Sequence, residues 1–383
     1  TKMKFAHISD THFGQFRSKK ERIQDNYDAF EQAIKISIEE KVDFLILSGD
    51  IFDRAHPPND AVLFLMKQFT LLKDNKIQSY FILGDHDQPK TQQNAIHWIY
   101  SMTGNAYHLG DGDPVKFKDV LLYGFDHHDE GNDLDELLEK FKEIDTTVRE
   151  HNGHKILVLH QGLNDVHKFA GEINANDLPK NFTFYAIGDI HKNFEKKYDF
   201  LGGPLVYPGS IELASTEPIK ESPKGFYIID ISSEKAIPKW IELELRPRFE
   251  MEMDVNDIEK KIDELISKID PSHKPLVSLT VTNVEDFNQI RPKIEQLQEN
   301  VLELSYSTKS KVCFQQAIQG HKNFFVSQKN SSDLRVGQLA LALGRPSKTG
   351  IQASQGIVSA IGGKVRTRHG GDRKSTRLNS SHH

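Results

Sequence analysis

Asp43-Phe-Leu-Ile-Leu-Ser-Gly-Asp-Ile-Phe-Asp53 is the stretch that decides the fold. A short apolar run bounded by polar residues reads as a β-strand, and Gly49-Asp50 turns the chain at its carboxyl end. The same pattern recurs outward in both directions, at Lys4–Ser9, Gln78–Leu83, Val120–Gly124, Lys155–Leu159 and Phe184–Gly188. Between these runs Asn26–Lys41, Asn59–Asn75 and Leu134–Glu150 place apolar residues three and four apart, which predicts helices. Leu205–Tyr207 and Gly225–Ile231 read as two further strands. Strand–helix alternation from Met3 to about Arg246 predicts a layered α/β domain, residues 1–246.

The style changes after Arg246-Pro-Arg248. Phe249–Met253, Asn256–Ile269, Leu276–Thr282, Glu285–Glu299 and Val301–Tyr306 read as strand, helix, strand, helix, strand, a small α/β module over residues 247–308. In the helix, Ile262, Leu265, Ile266 and Ile269 mark a buried face. Residues 309–383 form a tail whose periodicity decays into Gly, Ser, Lys and Gln, and it reads as disordered low-complexity sequence. Its end, from Asp372 to His382, looks like translated sequencing-adapter DNA and is set aside.

The chain has 383 residues, 37% hydrophobic and 27% charged, with a net charge of −6, as expected of a protein that buries a sizeable core. Without the basic last twenty residues the balance is −11, from 43 basic and 54 acidic residues. An acidic body excludes holding nucleic acid by bulk electrostatics; local basic patches or bound cations are needed. A single cysteine, Cys313, excludes a disulfide framework and any cysteine-based zinc or iron–sulfur site. No apolar run approaches the ~18 residues of a membrane helix, so an intracellular protein with no membrane partner is expected.

Aspartate and histidine gather just past the carboxyl ends of the predicted strands: Asp10-Thr-His12, Gly49-Asp50-Ile-Phe-Asp53, Gly84-Asp-His-Asp87, His160-Gln-Gly162 and Gly188-Asp-Ile-His191. In open α/β sheets that end of the strands is where ligands bind, so five loops converge on one candidate site. A glycine before the aspartate at three of them permits a tight turn. Taken singly, each is more often an ordinary strand-to-helix turn or a hydrogen-bonded histidine; the conjunction of five points to a metal site. Mixed carboxylate and imidazole donors suit Mn²⁺, Fe²⁺ or Zn²⁺. Two such ions ~3.5–4 Å apart activate water and clamp a phosphoryl group, which makes dimetal phosphoester hydrolysis the expected chemistry.

These motifs resemble the signature of the calcineurin-like metallophosphoesterases. Within that superfamily His7-Ile-Ser-Asp-Thr-His-Phe-Gly14, Leu159-His-Gln-Gly162 and Tyr207-Pro-Gly-Ser-Ile-Glu212 are similar to the meiotic-recombination-eleven (SbcD-type) DNA repair nucleases, in their archaeal form. The likeness runs from Met3 to about Tyr306. It implies a four-layer α/β/β/α sandwich with a small α/β capping domain for DNA recognition. It also implies a 3′–5′ exonuclease and single-strand endonuclease with two Mn²⁺ (or Mg²⁺) ions, acting on DNA ends in double-strand-break repair. The implied partners are a second copy of the chain and an SMC-like Rad-fifty ATPase, and the implied setting is the nucleoid.

The resemblance assigns Asp10, His12, Asp50 and His191 to the first metal, with Asp50 bridging. Asp85, His160 and Asp189 complete the second, and His86 is the catalytic histidine. Asp85 stands where the family usually has Asn, Asp189 where it usually has His, and Asp53 where many members have His. The two extra carboxylates cancel the formal charge of a metal pair, which predicts attenuated activity. Arg17, Lys19, Lys20 and Arg22 follow the first motif and are candidate phosphate contacts, or simply a solvated face. His127-His128 reads as an exposed loop ahead of a third metal cluster, and His56, His97, His108 and His167 as structural. The competing readings are another metallophosphoesterase, acting on a nucleotide or phosphoprotein, and a non-catalytic DNA-end scaffold.

Overall fold

The computed structural model describes residues 3–16, 19–90, 94–129, 132–167, 171–309, 339–347, 350–366 and 372–379. Its chain divides into two compact units, Thr1–Arg246 and Pro247–His383.

The first half of unit one runs Lys4–Ile8 (β1), Lys20–Glu39 (α1), Phe44–Ser48 (β2), Asn59–Asp74 (α2), Gln78–Ile82 (β3), Trp98–Met102 (α3) and Tyr107–His108 (β4). The second half runs Val115–Phe117 (β5), Val120–Gly124 (β6), Asn132–Arg149 (α4), Lys155–His160 (β7), Phe184–Gly188 (β8), Phe194–Lys197 (β9) and Pro204–Tyr207 (β10). Gly225–Asp230 (β11) and Ile237–Glu242 (β12) then return to the first sheet, whose order is β12-β11-β1-β2-β3-β4; the second is β5-β6-β7-β8-β10-β9.

Alternation of side chains along the strands makes the layers. In β1 and β2, Phe5, Phe44 and Ile46 face the second sheet and pack with Ile156, Val158 and Phe184. Ala6, Ile8, Leu45 and Leu47 face the other way, onto Ala29, Phe30 and Ala33 of α1 and Leu65 and Phe69 of α2. The second sheet mirrors this: Leu157 and Leu159 of β7 pack outward on Leu137 and Phe141 of α4. Both faces of the central strands are covered, which is why they read as unbroken apolar runs. The result is a four-layer α/β/β/α sandwich, the fold class expected.

α1 begins at Lys20, ahead of the periodicity at Asn26. Its first turns bury polar side chains (Arg22, Asp25 and Asn26), so no apolar stripe marks them. The edge strands β4, β5 and β9, of two to four residues, are too short to show a period, and β12 has no buried residue, so all four escaped the sequence.

Unit two contains Arg248–Asp254 (β13), Ile258–Ile266 (α5), Leu276–Thr282 (β14), Arg291–Asn300 (α6) and Glu303–Lys309 (β15), with the strands parallel in the order β13-β14-β15. Ile262, Leu265, Ile294 and Leu297 cover Val277, Leu279 and Val281. Beyond residue 309 the described residues are Leu339–Ser347 (β16), Gly350–Arg366 (β17) and Asp372–Asn379 (β18), paired antiparallel; the rest of the expected tail lies outside the described residues.

Candidate metal centre

β1, β2 and β3 are parallel neighbours in one sheet, β7 and β8 in the other. Their carboxyl ends bring all eight expected residues, Asp10, His12, Asp50, Asp85, His86, His160, Asp189 and His191, into one cluster. The backbone there is unusual. Asp10 (φ 53°), His12 (φ 44°), Asp50 (φ 49°) and Asp189 (φ 96°) all lie in the left-handed region, which costs about 1–3 kcal/mol each and concentrates at functional sites. Hydrogen bonds hold them there: Asp10 N–H to the Gly49 carbonyl (3.2 Å), His12 N–H to the Asp50 carbonyl (3.0 Å) and Asp189 N–H to the Asp10 carboxylate (3.2 Å). The preceding glycines serve two different needs. Gly49 has φ 88°, as a tight turn requires, whereas a Cβ at Gly84 would strike the carboxylate and backbone nitrogen of Asp50, so that position needs closeness.

Asp50 lies in the middle. Its Oδ2 is 3.5 Å from His12 Nε2 and its Oδ1 is 3.5 Å from His160 Nε2. Asp10, His12 and His191 gather on one side, with His12 Nε2 3.0 Å from His191 Nε2 and His191 Nε2 3.9 Å from Asp10 Oδ1. Asp85, His160 and Asp189 gather on the other, with His160 Nε2 3.6 Å from Asp85 Oδ1. The candidate donor atoms of each group fall within 4.8 Å of one another.

The donor set fits a pair of divalent cations. His160 donates Nδ1–H to the Ser48 carbonyl at 2.8 Å, leaving Nε2 buried with no hydrogen-bond partner. The facing Nε2 atoms of His12 and His191 leave room for one ring proton at most. Four carboxylates this close require positive charge among them, and the proton affinities show it. Burial works against a charged His160, but Asp50, Asp85 and Asp10 outweigh it and raise its pKa well above the usual imidazole range. Burial, then the Asp10, Asp85 and Asp50 carboxylates, raise Asp189 despite His160. Asp85 is lowered, since His160, His86 and His127 outweigh its burial. His12 is held down to about 3 by burial and the neighbouring His191, so its ring is neutral.

Around the donors lie residues whose contacts the sequence does not reveal. Asp87 is wholly buried and accepts from the Ile51, Phe52 and Gly84 N–H groups and from His97 Nε2 at 3.0 Å, tying the loops after β2 and β3 together. His127 is enclosed, not exposed: its Nδ1–H goes to the His160 carbonyl at 2.9 Å and its Nε2 lies 3.5 Å from Glu172. Glu217, from the loop after β10, faces His191 Nδ1 at 3.6 Å. Nothing in their spacing signals these contacts, because each depends on a loop distant in sequence.

Among the candidate DNA contacts, Arg22 requires correction. It is 1% exposed and points inward, with Nη1 2.8 Å from Asp25 and Nη2 3.4 Å from Glu212. Arg246 also grips Asp25, at 2.7 Å and 2.8 Å. Arg22 therefore belongs to a buried ion network, where losing one partner costs about 3–5 kcal/mol. Lys19 and Lys20 are exposed at the start of α1, and Arg17 lies outside the described residues.

Residues 3–192 match the calcineurin-like phosphoesterase family. Over 279 residues the chain is 34% identical to the DNA double-strand break repair protein Mre11 of Sulfolobus acidocaldarius, covering 70% of each. It is 32% identical over 284 residues to the protein of that name from Sulfurisphaera tokodaii, covering 72% of this chain and 71% of that one. It is 30% identical over 302 residues to that of Methanocaldococcus jannaschii, covering 76% and 73%. With its four-layer sandwich and the donors gathered about Asp50, the chain belongs to the Mre11 family of DNA double-strand break repair proteins, built on a calcineurin-like phosphoesterase domain.

Proposed function

We propose that this chain is an intracellular, nucleoid-associated, Mn²⁺-dependent DNA nuclease that processes DNA ends in double-strand-break repair, as a 3′–5′ exonuclease and single-strand endonuclease. The observation that carries this reading is Asp50 lodged between two donor groups at the carboxyl ends of five strands. Asp10, His12, Asp50 and His191 hold one cation, and Asp50, Asp85, His160 and Asp189 the other. When bound, the pair polarises the phosphoryl group and acidifies the attacking water.

His86 stands outside that set as the catalytic histidine. The Asp53 carbonyl can only accept, so the 2.8 Å contact places the ring proton on Nδ1. Nε2, 4.0 Å from Asp85 Oδ2, is then the atom that carries a proton to the leaving oxygen. Burial opposes a charge on this ring, but Asp50, the Asp53 carbonyl and Asp85 raise its pKa above the usual value.

Arg17, Lys19 and Lys20 are the proposed phosphate contacts and residues 247–308 the capping domain that positions DNA. The homodimer uses the apolar surface of α2 and α3, where Leu63 is 58% and Met102 86% exposed. An SMC-like Rad-fifty ATPase is the further partner, and the carboxylates of Asp85 and Asp189 attenuate turnover.

The test is cleavage of linear duplex DNA labelled at the 3′ or the 5′ end, with Mn²⁺. Label release from the 3′ end is expected first. His86→Ala is expected to slow cleavage ~10²–10⁴-fold with two Mn²⁺ still bound by calorimetry. A protein that hydrolyses a small phosphodiester but leaves every DNA substrate intact would sink the nuclease reading.

A further inference from the structure

The loop between β10 and β11 builds a support behind one edge of His191. The Glu217 carboxylate is fixed by the Ala214 N–H at 2.7 Å and by Lys224 Nζ at 3.0 and 3.1 Å. Lys224 is 4% exposed, and its Nζ also reaches Ser210 Oγ at 2.7 Å and the His191 carbonyl at 3.1 Å. Glu217 Oε2 faces His191 Nδ1 at 3.6 Å, while the opposite ring atom, Nε2, faces His12 and Asp10. The ring thus has a carboxylate on one edge and the other candidate donors on the other.

We propose that Glu217 is a positioning residue for the cation held by Asp10, His12 and His191, keeping the His191 proton on Nδ1 so that the Nε2 lone pair is the one presented. Lys224 is the counter-charge that makes this arrangement tolerable. Four carboxylates already surround the site, and a fifth without a partner would add to their mutual repulsion. Buried in contact with both Glu217 and the His191 backbone, Lys224 cancels that charge and pins the residue it serves. A carboxylate behind a metal-bound imidazole fixes ring orientation and tautomer, and losing one typically costs 10–100-fold in metal affinity. Glu217 touches none of the donor atoms of the second group, so its effect is confined to one cation.

This inference rests on reading His191 as a cation ligand, and Mn²⁺ titration calorimetry separates the two. The parent protein is expected to bind two Mn²⁺; a parent that bound none would overturn the ligand set itself. Glu217→Ala should weaken one site by about 10–100-fold and leave the other unchanged, with Glu217→Asp recovering part of the loss. Because Glu217→Ala strands a buried lysine, Glu217→Ala with Lys224→Met is the companion variant, expected to fold and still to bind one Mn²⁺ weakly. Two Mn²⁺ bound with parental affinity, in either the single or the double variant, would overturn the role of Glu217.

Discussion

Asp10, His12 and His191 on one side of Asp50, and Asp85, His160 and Asp189 on the other, form two unequal halves of one site. The first half has two imidazoles and one carboxylate, with Asp10 and His12 buried and His191 backed by Glu217. The second has one imidazole and two carboxylates, and the Asp85 side chain is 46% exposed. The halves also differ in where protons sit. His12 is already neutral, whereas both His160 and Asp189 hold protons more tightly than usual. The comparison teaches that an oxygen-rich half needs positive charge from somewhere, and without a cation it takes protons.

Removing what the halves share should have the largest effect. Asp50→Ala is expected to abolish metal-dependent cleavage and to reduce binding of both cations, because its two oxygens face His12 and His160 respectively. Calorimetry with Mn²⁺ checks this, and one site surviving at full affinity would show that Asp50 serves a single half.

The protons should separate the halves next. Metal uptake by the second half must expel the proton that His160 holds more tightly than usual, so lowering the pH adds a competitor and weakens binding, while raising it strengthens binding. In the first half burial opposes a charge on His191, but Glu217 and Asp10 outweigh that and raise its pKa. Between about pH 6 and 8 the second site is expected to change by up to about tenfold per pH unit for each proton displaced, and more steeply than the first. Equal slopes for the two sites in calorimetry at several pH values would break the distinction.

The smallest effect expected is a gain. Asp85→Asn with Asp189→His removes both carboxylates of the second half, which should draw in phosphate more strongly and raise turnover by about tenfold or less. Single-turnover assays across a Mn²⁺ titration decide this; a double variant no faster than the parent at saturating metal removes the attenuation argument. Oxygen-rich coordination should also favour Mn²⁺ or Mg²⁺ over Zn²⁺ in the parent, a preference that the double variant should relax.

The sequence by itself determined the central strands and marked the eight residues that the fold brings together at their carboxyl ends. Strands covered on both faces must be apolar throughout, so β1, β2, β3, β7 and β8 announce themselves, and parallel neighbours in one sheet necessarily put their carboxyl-end loops side by side. Tertiary structure alone decided everything that depends on a distant partner. Arg22 is the sharpest case: in sequence it is one more cation in a basic loop, and only Asp25, Glu212 and the inward turn of α1 make it a buried ion. His127 and Glu217 likewise gain their roles from the strand end at His160 and from His191, residues 33 and 26 positions away. Local pattern reports which face of an element is apolar, whereas a polar contact is chosen by whichever loop the fold brings opposite, and that choice leaves no period in the chain.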